Sequence, residues 1–180
     1  MNYAEALHIA EKLKADLAPY CERIEIAGSV RRKKPENIKD IEIICIPKMF
    51  VRERTLMGDD VLGSCLDVAI ATILIREWGA KCIKNGGKYK QVELPWSKLD
   101  LFITTPECWG VIFAIRTGPA DYSKWLVTSQ SYGGALPFGY CVKDGRVSYD
   151  GVLLQATPEE DDFFRLLGIA STPEPWERTR

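Results

Sequence analysis

Residues 27–47 read AGSVRRKKPENIKDIEIICIP. A Gly28-Ser29 turn leads into a basic run, Arg31, Arg32, Lys33 and Lys34, and then into an apolar strand with acids at Asp40 and Glu42. Side chains two apart on a strand face the same way, so Asp40 and Glu42 project from one face while Ile41, Ile43 and Cys45 enter the other. Carboxylates that close repel each other unless a cation, a shared proton or solvent offsets the repulsion. Oxygen ligands of this type suit Mg²⁺ or Mn²⁺. Taken alone, D-x-E is better explained by an ordinary half-exposed strand, which also alternates apolar with charged residues. Its company is what sets this stretch apart. The Gly-Ser turn upstream can offer backbone N–H groups and a hydroxyl to a phosphate, and arginines follow it directly.

Outward from this stretch, the patterns predict a mixed α+β arrangement. Asn2 as N-cap with Glu5 three residues on, and apolar residues at Ala6, Ile9, Leu13 and Leu17, predict an opening helix over residues 2–19 that Pro19 stops. RIEIAGS reads as a first strand and DIEIICIP as a second, closed by Pro47. Asp59 or Asp60 is the expected cap of a further helix carrying Leu62, Leu66, Ile70, Ile73 and Leu74, with Gly79 past its end. AKCIK, YKQVELP and KLDLFIT then read as strands separated by the turn signals NGG and PWS. Thr105-Pro106 opens a helix to about Ile115, and TGP at 117–119 breaks the chain before a helix with Tyr122, Trp125 and Leu126. A hairpin turning at Asp144-Gly145 follows, and Thr157, Pro158 and Glu160 are expected at N-cap, N1 and N3 of a last helix. The break at TGP suggests two lobes, 1–116 and 117–180.

A third acid repeats the placement of the first two. Asp100 sits in KLDLFIT with Leu99, Leu101 and Ile103 directed to the opposite face. If that strand lies beside the first, three carboxylates converge on a space wide enough for two divalent ions about 3.5–4 Å apart, the arrangement used for in-line phosphoryl transfer.

Composition narrows the chemistry further. The chain has 180 residues, 46% apolar and 27% charged, enough to bury a real core. Nothing approaches a bilayer-spanning apolar run, and MNYAEALHIAEKLKADL is amphipathic rather than a leader. The expectation is therefore an intracellular, non-secreted monomer with no membrane partner, cytoplasmic in a bacterium or a virus-infected cell and nuclear in a eukaryote. Cys21, Cys45, Cys65, Cys82, Cys108 and Cys141 are scattered, never approach C-x-x-C spacing, and read as reduced thiols. With His8 as the single histidine, a zinc site or a histidine-assisted nucleophile has no support. The net charge of −1 hides the 31–34 run and a second one at Lys81, Lys84, Lys88 and Lys90, each a solvated face or a phosphate contact.

GSVRR followed by DIEI and later KLDLF resembles the signature of the nucleotidyltransferase superfamily, and specifically the family X DNA polymerases. GGKYKQVELPWSKLDLFIT resembles that family's strand pair leading to its third aspartate. IRTGPADYS resembles the turn between palm and nucleotide-closing subdomain, and FGYCVKDGRVSYDG with TPEEDDFFRLLGI and PEPWERTR resembles the terminal hairpin and helix. The resemblance runs from about Ala27 to the end. It implies a polymerase beta-like palm with a mixed sheet plus a small α+β C-terminal subdomain; the short stretch before Ala27 leads us to expect a compact form without the N-terminal lyase domain that many members of that family carry. It also implies a two-metal enzyme using Mg²⁺, with Mn²⁺ as a substitute, that adds nucleotides from nucleoside triphosphates to a DNA 3′ end, templated or gapped.

By the same resemblance Asp40 and Glu42 would bind both ions, and Asp100 the ion that activates the primer hydroxyl. Gly28, Ser29 and Arg32 would receive the triphosphate, and Thr117-Gly118 would form the turn at the nucleotide. Two departures stand out: Glu42 occupies a position that is usually aspartate, and Ile115 and Arg116 replace an aromatic pair that often contacts the sugar. Untemplated terminal transfer, transfer to RNA, a small molecule or a protein hydroxyl, and a non-catalytic nucleic-acid-binding module are the alternatives. Tyr122, Trp125, Tyr132 and Phe138 are core aromatics or stacking platforms for a base.

Overall fold

The computed structural model describes residues 1–55, 57–153 and 156–179. Leu154, in the stretch that continues the terminal hairpin, and the final Arg180 lie outside the described residues. The first half of the chain runs α1 (Tyr3–Leu17), β1 (Cys21–Ile26), α2 (Gly28–Arg31), β2 (Asp40–Pro47), β3 (Met49–Arg54), β4 (Asp60–Ser64) and α3 (Cys65–Ala69), which continues as a π-helical stretch over Ile70–Glu77. Then come β5 (Lys81–Asn85), β6 (Tyr89–Glu93), β7 (Lys98–Ile103), α4 (Trp109–Thr117), α5 (Ala120–Val127), β8 (Tyr140–Lys143), β9 (Arg146–Tyr149), β10 (Val152–Leu153) and α6 (Glu160–Leu166). Among the described residues no helix is long and apolar enough to cross a membrane.

The fold is α+β, built on a mixed five-stranded sheet in the order β1-β2-β7-β6-β5. Within this sheet β2 pairs with β7 in parallel, and the other neighbours pair antiparallel. Alternation along the two central strands sends Ile41, Ile43, Cys45, Leu99 and Leu101 to one face, where they are fully buried against Ala6, Ala10, Leu13 and Leu17 of α1 and Leu66 and Leu74 of the helix that follows β4. Each such aliphatic side chain contributes about 1.5–3 kcal/mol relative to exposure. The opening helix forms because Asn2 and Glu5 cap it reciprocally, at 3.0 and 3.1 Å, and a 3₁₀ turn containing Pro19 ends it.

The opposite face is divided. Ile44, Ile46 and Phe102 form a small core there with Ala27 and with Trp109 and Phe113 of α4. Further back along the same strands the residues on that face are Asp40, Glu42 and Asp100, which α4 does not bury. Other positions of α4, Val111 and Ala114, belong to a separate core with Tyr122, Leu126, Leu136, Val147, Phe163 and Phe164. The helix thus stands between the sheet and a lobe made of α5, α6 and the antiparallel sheet β10-β9-β8.

Two expected helix starts lie elsewhere. Asp60 and Leu62 are strand residues, because the β-rich run at Met49–Arg54 pairs with Asp60–Ser64 as a hairpin and the helix begins only at Cys65. Gly63 disfavours helix at that point, and Gly58 at φ +89° serves the turn. The last helix is capped not by Thr157 but by Glu159, whose N–H donates to the Asp162 carboxylate at 3.0 Å. Thr157 is engaged otherwise: its N–H donates to the Glu107 carbonyl at 2.9 Å, and its carbonyl accepts from Gly110 at 2.8 Å. A side chain at Gly110 would come within 2.0 Å of the Glu159 carbonyl oxygen, so glycine permits this contact.

Glu160, freed from capping, accepts two-pronged hydrogen bonds from Arg31 (2.9 and 2.6 Å) and Arg178 (2.8 and 3.3 Å). Arg178 is 1% exposed. Burial pushes the Glu160 carboxyl up, but the hydrogen bonds and charges of the two guanidinium groups outweigh it and hold the group below its ordinary 4.5. A carboxyl depressed by folding contributes stability that is complete above its unfolded value and is lost as pH falls through the folded one. Glu160→Gln, which leaves two guanidinium groups without their compensating charge, is expected to lower unfolding free energy by about 3 kcal/mol at pH 7. It should also flatten the decline of stability below pH 4.5, as read from urea denaturation across pH 3–7.

Candidate active site

Register assembles the acids. Parallel pairing of β2 with β7 sets Glu42 directly beside Asp100 and Asp40 beside Lys98. On the other side of β7, antiparallel pairing sets Gln91 beside Asp100. The acids flagged in the sequence therefore lie on one face of adjacent strands. They do not form a closed cage: among the described residues no group of three or more His, Cys, Asp or Glu side chains is arranged to hold a metal ion. Glu42 lies over α2, while Asp100 is held by β6.

The contact of Glu42 with α2 explains Gly28. A Cβ built on Gly28 would fall 1.7 Å from Glu42 Oε2, and the residue has φ +59°, a conformation that glycine adopts without strain. The Ala27 N–H donates to the Glu42 carbonyl at 2.8 Å, stitching the turn to β2. Ser29 is buried at the start of the same short helix, and its carbonyl accepts from Lys34 N–H at 3.0 Å.

Thr117 comes to this turn through the arginines, and Gly118 follows it in the chain. Arg32 Nη1 donates to the Thr117 carbonyl at 2.6 Å, and Arg31 Nη1 donates to Thr117 Oγ1 at 2.5 Å. Gly118 is the C-cap of α4, donating to the Ala114 carbonyl at 3.3 Å. All eight residues singled out from the sequence thus lie on four segments that meet: α2, β2, β7 and the end of α4.

Asp100 Oδ1 accepts from the Tyr89 hydroxyl at 2.7 Å and from Gln91 Nε2 at 2.9 Å. Neither donor was singled out in the sequence. The available signal was period-two spacing in YKQVELP, which puts Tyr89 and Gln91 on the face that Asp100 shares. Arg116, noted only as a departure from an aromatic pair, is exposed with its guanidinium 4.0 Å from the Phe102 ring centre.

Electrostatics follow from this crowding. Burial and then the neighbouring Asp40 charge push the Glu42 carboxyl up to about 7, with Asp100 adding to the rise while Arg32 and Arg116 oppose it. Burial and Asp100 also raise Asp40. Burial, ahead of the hydrogen bond and charge of Asp100, raises the Tyr89 phenol to about 12. Burial lowers Arg32, and the charges of Glu42, Asp40 and Asp121 counter it.

The basic runs are largely spoken for. Lys90 is buried and pairs with Asp67 at 2.6 Å, Lys88 pairs with Asp144 at 3.0 Å, and Lys84 lies over the Tyr89 ring. Lys33 lies 3.9 Å from the Trp176 ring centre. The expected stacking aromatics split: Tyr122 and Trp125 pack in the second core, while Tyr132 and Phe138 are 86% and 79% exposed.

No protein-family model matches the chain, and no curated protein matches it.

A carboxyl raised by folding from 4.5 to about 7 makes the folded chain hold a proton that the unfolded chain has lost. Stability contributed through Glu42 therefore falls as pH rises across that interval. In chelator-containing buffer, Glu42→Gln is expected to remove this slope. At pH 8 the variant should be more stable than the parent by about 2 kcal/mol, the full shift being discounted for the solvent that reaches the site. Urea denaturation at pH 5 and pH 8 checks both; an unchanged slope would show that Glu42 is not the group responsible.

Proposed function

We propose that this chain is a metal-dependent nucleotidyltransferase of the family X polymerase type, with a palm and a smaller C-terminal subdomain, that transfers a nucleotide from a nucleoside triphosphate to a DNA 3′-hydroxyl, as in gap filling. The observation that carries the reading is the β2–β7 register, which puts Glu42 next to Asp100 with Asp40 two residues away on the same face. A binding module has no need of neighbouring, mutually repelling carboxylates.

The donor set fits hard divalent cations: every candidate ligand is a carboxylate, and the raised Glu42 and Asp40 are groups whose charge a cation would stabilise. Asp40 and Glu42 are the residues to hold two Mg²⁺ ions, or Mn²⁺, and Asp100 the residue to hold the one on the acceptor side. When bound, such ions lower the pKa of the attacking hydroxyl and neutralise charge on the phosphates.

The chain's own groups account for the rest. The Ser29 hydroxyl and the backbone N–H groups at the start of α2 are the groups to receive a phosphate, while Gly28 makes room for Glu42, whose carboxylate fills the space a side chain there would need. Arg32 is a fixed cation for phosphate oxygens, because one nitrogen of its guanidinium is already held by the Thr117 carbonyl and the fork cannot swing freely. Thr117, fastened to α2 by both arginines, and Gly118 after it close the site from the side of the second core. Arg116 adds a cation in the position where relatives of this type often carry an aromatic residue.

The decisive measurement is extension of a labelled DNA primer, offered single-stranded, with an overhanging template and at a one-nucleotide gap, with Mg²⁺ or Mn²⁺ and each dNTP or rNTP. The expected result is addition of the complementary nucleotide, favoured at the gap. Asp100→Ala should lower the rate by more than about 100-fold, beyond the cost of losing an outer-shell partner, while nucleotide binding persists. Full turnover by Asp100→Ala would end this reading; addition without regard to template would reassign the chain to terminal transfer.

A further inference from the structure

Two side chains next to the candidate site have no part in the transfer described above, yet they fix one of its ligands. Gln91 stands directly across from Asp100 in the β6–β7 pairing, and Tyr89, two residues earlier, stands across from Phe102. Both donate to the same oxygen, Asp100 Oδ1, at 2.7 Å from Tyr89 and 2.9 Å from Gln91. Gln91 Nε2 also reaches the Tyr89 oxygen at 3.0 Å, so the three groups close a triangle.

The phenol that completes the triangle is itself held in place. Its ring stacks on Phe102 with centres 5.3 Å apart, and Phe102 packs into the small core under Trp109 and Phe113. The Lys84 ammonium lies 5.4 Å from the centre of the Tyr89 ring. The donors are therefore positioned by the sheet and by aromatic packing, not by Asp100 alone.

We infer that Tyr89 and Gln91 are positioning residues for a divalent cation at Asp100: together they occupy Oδ1, fix the carboxylate plane, and leave Oδ2 as the oxygen offered to the ion. Hydrogen-bonded partners of ligating carboxylates act in this way, and losing one costs about 10–100-fold in metal affinity or activity. The inference rests on the metal-dependent reading above. It adds that acceptor-side metal affinity is set from β6, a strand that carries none of the acids.

A structural role is separable from this one. Backbone pairing and the Tyr89–Phe102 stack survive removal of the hydroxyl, so Tyr89→Phe deletes the donor and keeps the ring. Mn²⁺ binding to the whole chain, followed by the spectroscopic signal of the free ion, is the direct readout. Melting temperature and the Mn²⁺ dependence of primer extension accompany it. Tyr89→Phe is expected to weaken Mn²⁺ binding about tenfold, to raise the Mn²⁺ concentration for half-maximal extension by the same factor, and to leave the melting temperature in place. Gln91→Leu should do likewise and serves if the first variant misfolds.

In an Asp100→Ala background, Tyr89→Phe should change residual Mn²⁺ binding less than about twofold, because the carboxylate through which it acts is gone. Equal weakening with and without Asp100 would overturn the inference in favour of a general structural role. Parent-like Mn²⁺ binding by both single variants, in a parent chain that binds the ion and extends DNA, would overturn it and leave the nucleotidyltransferase reading standing. A parent that neither binds Mn²⁺ nor transfers nucleotides would remove both.

Discussion

Glu42 and Asp100 are like charges on adjacent strands, and the molecule holds them together against their repulsion. Such charges oppose each other more strongly the less water separates them. What enforces the pairing lies on the other face of the sheet. Ile41, Ile43, Leu99 and Leu101 are fully buried there, in register with one another across the β2–β7 pair. Slipping either strand by one residue would drive the acids into that core and the aliphatic residues out of it. The core therefore fixes the register, and the register fixes the carboxylates. Burial first, then the Asp40 charge, with Asp100 adding less, push the Glu42 carboxyl up toward its neutral form.

The surroundings of the acids follow from the same crowding. Glu42 occupies the space that a side chain at residue 28 would need, so the turn after β1 must be glycine. The next helix turn carries Arg31 and Arg32, which part company. Arg32 faces the acids and the Thr117 carbonyl; Arg31 reaches Thr117 Oγ1 and Glu160, and Glu160 also receives Arg178 from the end of the chain. Consecutive residues thus serve the site and the anchoring of the second core. That division is why a run of four basic residues is no plain solvated face.

Much of this was legible because it is periodic. The opening helix with its capping box, the strands carrying the acids, the three strands from Lys81 to Ile103 and the helix break at Thr117-Gly118 lie where alternation and caps put them. The misses have physical causes. Leu62, Leu66 and Ile70 fit a helical stripe, but the adjacent run at Met49–Arg54 needs a partner strand, and tertiary pairing overrode the local period. Thr157 has the chemistry of a cap but spends its backbone on Glu107 and Gly110, contacts made across some fifty residues that no local window contains. Tyr89 and Gln91 escaped notice because their meaning depends on which strand lies beside them. Glu160, Arg31 and Arg178 joined in one cluster, 129 and 18 residues apart, for the same reason.

Where α4 stops decides where the sheet changes from dry to charged. Trp109 and Phe113 cover Ile44, Ile46 and Phe102, and the helix ends at Thr117, level with the acids. A helix C-terminus carries partial negative charge, so its unpaired carbonyls would add to the repulsion among Asp40, Glu42 and Asp100. Arg32 answers both problems with one side chain. It donates to the Thr117 carbonyl at 2.6 Å, and its charge opposes the rise of Glu42. Arg116, in the last turn of the same helix, has the sign that the helix end favours and also opposes that rise. A cation is therefore required at position 32 by helix termination and by carboxylate crowding alike, before any phosphate is considered. The same requirement gives a phosphate a guanidinium already fixed in place.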